Sequence, residues 1–321
     1  MGLGAAALLP QHGVEASLAR PRYMLVGNKE GVSIHKLPQE DSVIMYQRAY
    51  NDIISVYDEV VGPDGPSWNP IWYRCWGGYV YSGYLYEVKY ELNSLGKPNR
   101  PTGQLAEVTV PYTRSLLWGK QLGWIPEYRL YYRSTHWVMD VIEGPDKKPW
   151  YKIKDELIEV ELAVPTEHLR LIPDTELSPI SPDVPASEKR INVSLSQQHL
   201  EAFEGDNRVF ETKISTGGPT PEGVWNIQTK MPSKHMGNAN LTSDIYSREW
   251  MGVPWNAFFE LTEGMATHGT FWHSNFGTMM SGGCINMRMD DAKWLYLWST
   301  PVCQPDAWTT TGYGTPIHIT R

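Results

Sequence analysis

Residues 190–214 read RINVSLSQQHLEAFEGDNRVFETKI. Arg190-Ile191-Asn192-Val193-Ser194-Leu195 alternates apolar and polar side chains, as a strand with one buried face does. Gln197-Gln198 turns the chain and Leu200-Glu201-Ala202-Phe203 runs back. Gly205-Asp206 turns it again into a third strand from Val209 to Ile214. This is a β-meander, and it sets the class of the last third as mostly β. One helix is expected near the end, with Asp290 or Asp291 capping Ala292 to Trp298. A last strand follows at Thr315 to Ile319.

Upstream of the meander, Pro173 to Pro185 holds four prolines among Asp, Glu and Ser. Proline fixes its own φ and cannot continue a ladder, so residues 176–187 read as a semi-rigid linker. Few apolar residues lie in it, and on that basis 179–321 is expected to fold alone. Before it, the chain repeats itself loosely. Val60-Val61-Gly62-Pro63-Asp64 precedes Trp72-Tyr73-Arg74, and Val141-Ile142-Glu143-Gly144-Pro145-Asp146 precedes Trp150-Tyr151-Lys152. Each reads as strand, Gly-Pro-Asp turn and strand, with a longer loop in the first copy. Two small SH3-like barrels, at 21–98 and 99–175, fit the pattern. The whole is then mostly β: two small barrels followed by a β-sandwich at 188–321 with little helix.

Composition narrows the function. The chain has 321 residues, 41% hydrophobic and 20% charged, with a formal net charge of −8. A folded protein of two or three domains is expected, and nucleic acid is a poor partner because phosphate binding needs a basic surface. No run of ~18 apolar residues is present to span a membrane. Residues 1–20, with Gly2 to Pro10 small and apolar, read as the remnant of an export signal or as a frayed tail. Cys75, Cys284 and Cys303 are too few for a disulfide framework or a four-thiolate zinc site.

The chemistry concentrates in Thr267 to Met287, which holds His268, His273, several glycines and Cys284 without helical or strand period. A thiol needs a neighbouring base to become a nucleophile, and imidazole titrates near neutrality. His268 is the candidate base and Cys284 the candidate nucleophile. The N–H groups of Gly283 and Cys284 are placed to hold an oxyanion. A metal site from His268, His273 and Cys284 is disfavoured because no carboxylate joins them. Cys75 and Cys303 read as inert. His235 reads as a loop residue able to line the cleft.

This cluster resembles the signature of the L,D-transpeptidases of the YkuD family: His-Gly, about a dozen residues, then Ser/Thr-His-Gly-Cys, an apolar residue and Asn or Arg. Cys284 follows His268 by sixteen residues. Ser215-Thr216-Gly217, Thr220-Pro221-Glu222-Gly223 and Lys230 are similar to the family's turn before a long strand. Asp291-Ala292 and Gly314-Thr315-Pro316-Ile317 are similar to its closing helix and strand. The resemblance covers about 188–321. It departs at Gly282, where the family carries a histidine, and His273 is the candidate to replace it.

The resemblance implies an exported cell-wall enzyme that needs no cofactor. Cys284 would attack a peptidoglycan stem tetrapeptide, with Gly269 carbonyl orienting His268, and carbapenem β-lactams would act as inhibitors. Trp272, Asn275, Ser281, Asn286 and His273 are the candidate substrate wall. Two other readings stand beside it. A Cys-His peptidase of the NlpC/P60 type also travels with SH3-like modules, but there the cysteine precedes the histidine. A non-catalytic wall-binding protein is favoured only by Gly282.

Overall fold

The computed structural model describes residues 21–157, 161–236 and 250–321. The export-signal reading of 1–20 lies outside the described residues. Among those described, the chain forms twenty-four strands and one α-helix.

The repeat seen in the sequence is carried by topology. Strands from Arg22–Val26 to Leu85–Val88 form one seven-stranded sheet, and those from Gln104–Val108 to Leu169–Leu171 form another. Counted from its own first strand, each sheet has the order 3-2-6-5-4-1-7. Each also inserts a 3-10 turn before its last strand, at Ser82–Tyr84 and Thr166–His168.

The meander forms as read, at Lys189–Ser194, His199–Glu204 and Asn207–Lys213. The closing strand Pro316–Thr320 lies parallel to Lys189–Ser194 and pairs on its other side with Gly223–Asn226. A second five-stranded sheet runs Ile285–Met287, Met265–Gly269, Trp250–Glu260, Thr229–Met236 and Thr310–Thr311. Ile191, Val193 and Ile319 of the first sheet share one core with Trp255, Phe259 and Met287 of the second.

The helix spans Met289–Trp298, and neither expected aspartate caps it. Arg288 holds the cap position without a side-chain bond, while Asp290 and Asp291 lie in the first turn. There they face the positive end of the helix dipole. Asp291 accepts from Thr212 Oγ1 (2.5 Å), and Asp290 pairs with Arg133 of the second unit. The helix has no basic residue in its last turn. Its C-terminal carbonyls are met instead by two buried lysines from the strands. Lys189 Nζ donates to Trp298 O (2.9 Å), and Lys230 Nζ to Tyr296 O, Ser299 O and Pro301 O. Orphan carbonyls at a helix end need partners, and these lysines supply them for Tyr296 and Trp298.

The proline-rich stretch is not a free tether. Leu177 is buried in the shared core, Ile180 packs against it, and the Ile180 N–H donates to Leu297 O (3.1 Å). Leu105, Trp137 and Ile172 of the second unit enter the same core. Trp137 stacks on Trp308 at 4.9 Å between ring centroids and 5° between planes. Thr135 bonds twice across the junction, donating through Oγ1 to Pro232 O (2.7 Å) and accepting at its carbonyl from Ser233 Oγ (2.5 Å). The first unit meets the segment 270–284 and the meander through its own backbone carbonyls. Ser274 N–H donates to Gly83 O (3.0 Å), and Lys213 Nζ donates to Trp68 O (2.9 Å). Gly27 packs so closely that a Cβ there would lie 1.9 Å from the Trp272 carbonyl oxygen.

These contacts reverse the expectation that 179–321 is self-sufficient. That fragment should melt well below the full chain and bind a hydrophobic dye, because it loses Leu105, Trp137, Ile172 and Leu177 from its core. In the full chain, Trp137→Ala should cost about 3–5 kcal/mol by denaturant titration. A fragment with the full chain's melting temperature would contradict the shared core.

Candidate active site

His268 and Cys284 are brought together by a short parallel ladder. Thr267 pairs with Ile285, His268 with Asn286 and Gly269 with Met287. Cys284 therefore sits at the entry of one strand, beside the strand that carries His268. Both residues line a cavity of about 440 Å³.

His268 is buried, and its Nδ1 lies 3.1 Å from the Gly269 carbonyl oxygen. That contact needs the proton on Nδ1, which leaves the Nε2 lone pair as the acceptor. Burial lowers its pKa to about 4, so the ring is neutral at pH 7. Cys284 keeps part of its surface open, but its thiol is pushed up to about 11 by buried surroundings. Its Sγ lies 3.8 Å from Gly264 O. The resting pair is thiol and imidazole, both uncharged.

The turn before Cys284 is held from the segment 215–220. Met280 and Ser281 N–H both donate to Thr216 O (3.0 and 3.1 Å), and Thr220 Oγ1 donates to Gly283 O (2.7 Å). Gly283 has φ +148°, a conformation open mainly to glycine. Its N–H, an expected oxyanion donor, is occupied by Ser281 Oγ (3.0 Å). Behind this turn, Gln198 clamps Thr216, accepting from its N–H (2.7 Å) and donating to its hydroxyl (2.7 Å). The sequence marks Gln198 only as a turn residue.

The expected substrate wall divides. Trp272, Ser281 and Asn286 line the cavity. Trp272 stacks on Trp250 (5.0 Å, 12°) and tilts against His268 (5.7 Å). His273 and Asn275 lie elsewhere. His273 is buried, its Nδ1 accepts from Asn275 N–H (3.2 Å), and its Nε2 meets the Asn286 side-chain amide (2.9 Å). Burial, then the neighbouring His268, lowers its pKa to about 3. It braces the loop from behind. Asn275 Oδ1 takes up the Tyr81 hydroxyl of the first unit (3.1 Å). Gly282 is exposed at the cavity, with open space where a Cβ would lie.

Other cavity residues carry no local motif. Lys234, Trp250 and Glu263 come from separate strands and turns. Lys234 Nζ is bound to Glu156 of the second unit (2.6 Å). His235 does not line the cleft: it is fully buried on the strand Thr229–Met236, with Nδ1 3.3 Å from Asp155 Oδ1. Cys75 is buried and Cys303 half-buried; both are free thiols. Among the described residues no three His, Cys, Asp or Glu side chains gather as a cation site.

With this geometry in place, comparison with known proteins is informative. Residues 188–319 match the family model for the YkuD L,D-transpeptidase catalytic domain, and the chain carries that domain. No curated protein matches. Among solved structures, the chain is similar to an Enterococcus faecium L,D-transpeptidase at 22% identity, covering 41% of this chain and 50% of that one, with TM-score 0.32. It is similar to a Stackebrandtia nassauensis L,D-transpeptidase at 23% identity, covering 46% and 63%, TM-score 0.31. A Mycobacterium smegmatis L,D-transpeptidase aligns at 15% identity over 54% and 90%, TM-score 0.34. The chain thus spans about half to two-thirds of the first two structures' length.

A neutral resting pair has a pH signature. With its pKa near 11, only about one Cys284 in ten thousand is thiolate at pH 7, so iodoacetamide labelling should rise about tenfold per pH unit and level near 11. Labelling that levels between pH 5 and 7 would reveal a resting thiolate–imidazolium pair instead.

Proposed function

We propose that this chain, with its YkuD catalytic domain at 188–319, is an exported peptidoglycan L,D-transpeptidase working through a Cys284 acyl-enzyme. The observation that carries the reading is His268. It is held neutral in one tautomer by Gly269 O, with Nε2 available in the cavity that Cys284 lines.

In this reading, Nε2 takes the thiol proton as sulfur attacks the carbonyl of the third stem residue, a diamino acid. Because the thiol is not ionised beforehand, deprotonation and attack are coupled. The oxyanion draws on the Cys284 N–H and on the Gly283 N–H, which must exchange its bond to Ser281 Oγ for one to substrate. His268 then returns the proton to the departing D-alanine amine, leaving a thioester. The side-chain amine of a second stem resolves it to a 3→3 cross-link, or water hydrolyses it. The stacked Trp272–Trp250 pair forms the apolar wall for the donor stem. Carbapenems would acylate the same sulfur.

Cys284→Ala should abolish cross-linking, read by mass spectrometry of muropeptides, and carbapenem acylation, with the fold intact. His268→Ala should lose about 10²–10⁴-fold in turnover. His273→Ala should chiefly lower the melting temperature. Retained cross-linking in Cys284→Ala would sink the mechanism, and equal kinetic losses at both histidines would mean the base is misassigned.

A further inference from the structure

The two repeated units differ at the turn between their fourth and fifth strands. In the second, the strand Thr135–Glu143 turns through 144–148 into Pro149–Lys154. Asp146 folds back on this turn, and its carboxylate accepts the indole N–H of Trp150 (2.8 Å). In the first, the matching turn spans 62–70, between Ile53–Val61 and Ile71–Cys75. Trp72 takes the place of Trp150 and Asp64 that of Asp146. The longer loop carries Asp64 away. Trp72 is 4% exposed, and its Nε1 has no hydrogen-bond partner. A buried donor left unpaired is destabilising and calls for an explanation.

The space that opens is a groove of about 530 Å³. Trp68, Trp72, Tyr81 and Tyr84 give it aromatic walls, and Glu40 and Asp64 give it carboxylates. Neither lysine nor arginine lines it among the described residues. Its far side is Asn275, on the catalytic loop, joined to Tyr81. The Trp68 backbone is tied to Lys213 of the catalytic domain, while its ring is partly exposed. Aromatic faces beside uncompensated carboxylates suit an ammonium group on an amphipathic chain.

We propose that this groove binds an extended peptide bearing a primary ammonium. Asp64 and Glu40 take the ammonium, and the rings take the aliphatic stem. The second unit keeps the same turn closed by its own Asp146 and is structural. Identifying the natural peptide as an amine-bearing peptidoglycan stem rests on the proposed function; the groove itself does not.

The test uses the full chain and two probes. Acetyl-Ala-Lys-Ala-amide has one free amine, and its Nε-acetyl form has none. Calorimetry should show the free-amine peptide binding about tenfold more tightly. Asp64→Asn and Trp68→Ala should each weaken it about tenfold, while Cys284→Ala and Asp146→Asn leave it unchanged. Equal affinity for the two peptides, or binding indifferent to Trp68→Ala, would overturn the proposal. Carbapenem acylation of Cys284, followed separately by mass spectrometry, should be unaffected in Trp68→Ala. Its absence in the unmodified chain would count against the catalytic reading alone.

Discussion

Three pairs of residues in a parallel ladder, Thr267–Ile285, His268–Asn286 and Gly269–Met287, set the strand of His268 beside the strand that Cys284 enters. Parallel neighbours cannot be joined by a tight turn; the chain must leave one end of the sheet and return to the other. In many proteins a helix makes that crossing and covers it. Here the crossing is the irregular segment 270–284, and something else must cover its backbone. The meander's end supplies Thr216 and Ser215 from one side. The first unit supplies Gly83 and Tyr81 from the other. The N-terminal units therefore complete a structure that the catalytic domain leaves open.

Burial of the two groups themselves explains the neutral pair. A buried position disfavours both thiolate and imidazolium. His268 and Cys284 shift in opposite directions from one cause. A single backbone acceptor, Gly269 O, then suffices to choose the tautomer. His273 shows what the loop needs for itself: both ring nitrogens are spent on Asn275 and Asn286.

Legibility followed the range of the interactions. Alternation along 189–194 reports one buried face, so the meander could be read locally. His268 and Cys284 were readable because their spacing is a property of the crossing itself. Lys234, Trp250 and Glu263 were not, since a cavity wall gathered from distant strands has no local period. Counting apolar residues at 176–187 missed that Leu177 and Ile180 land where the helix and the second unit leave room for them. His273 and Asn275 had the right distance from His268 along the chain. Direction is set by the packing of the loop, and both face away from the cavity.

Gly27 sets a limit on how this molecule can be recombined. Its α-carbon rests against the Trp272 carbonyl, with no space for one further carbon. Multidomain chains are often pictured as beads that can be exchanged at their linkers. Here a replacement first unit, however well folded, would need a residue without a side chain at that point. Otherwise it would push on the backbone of Trp272, whose ring tilts against His268. The first unit and the segment it rests on can then be exchanged only together.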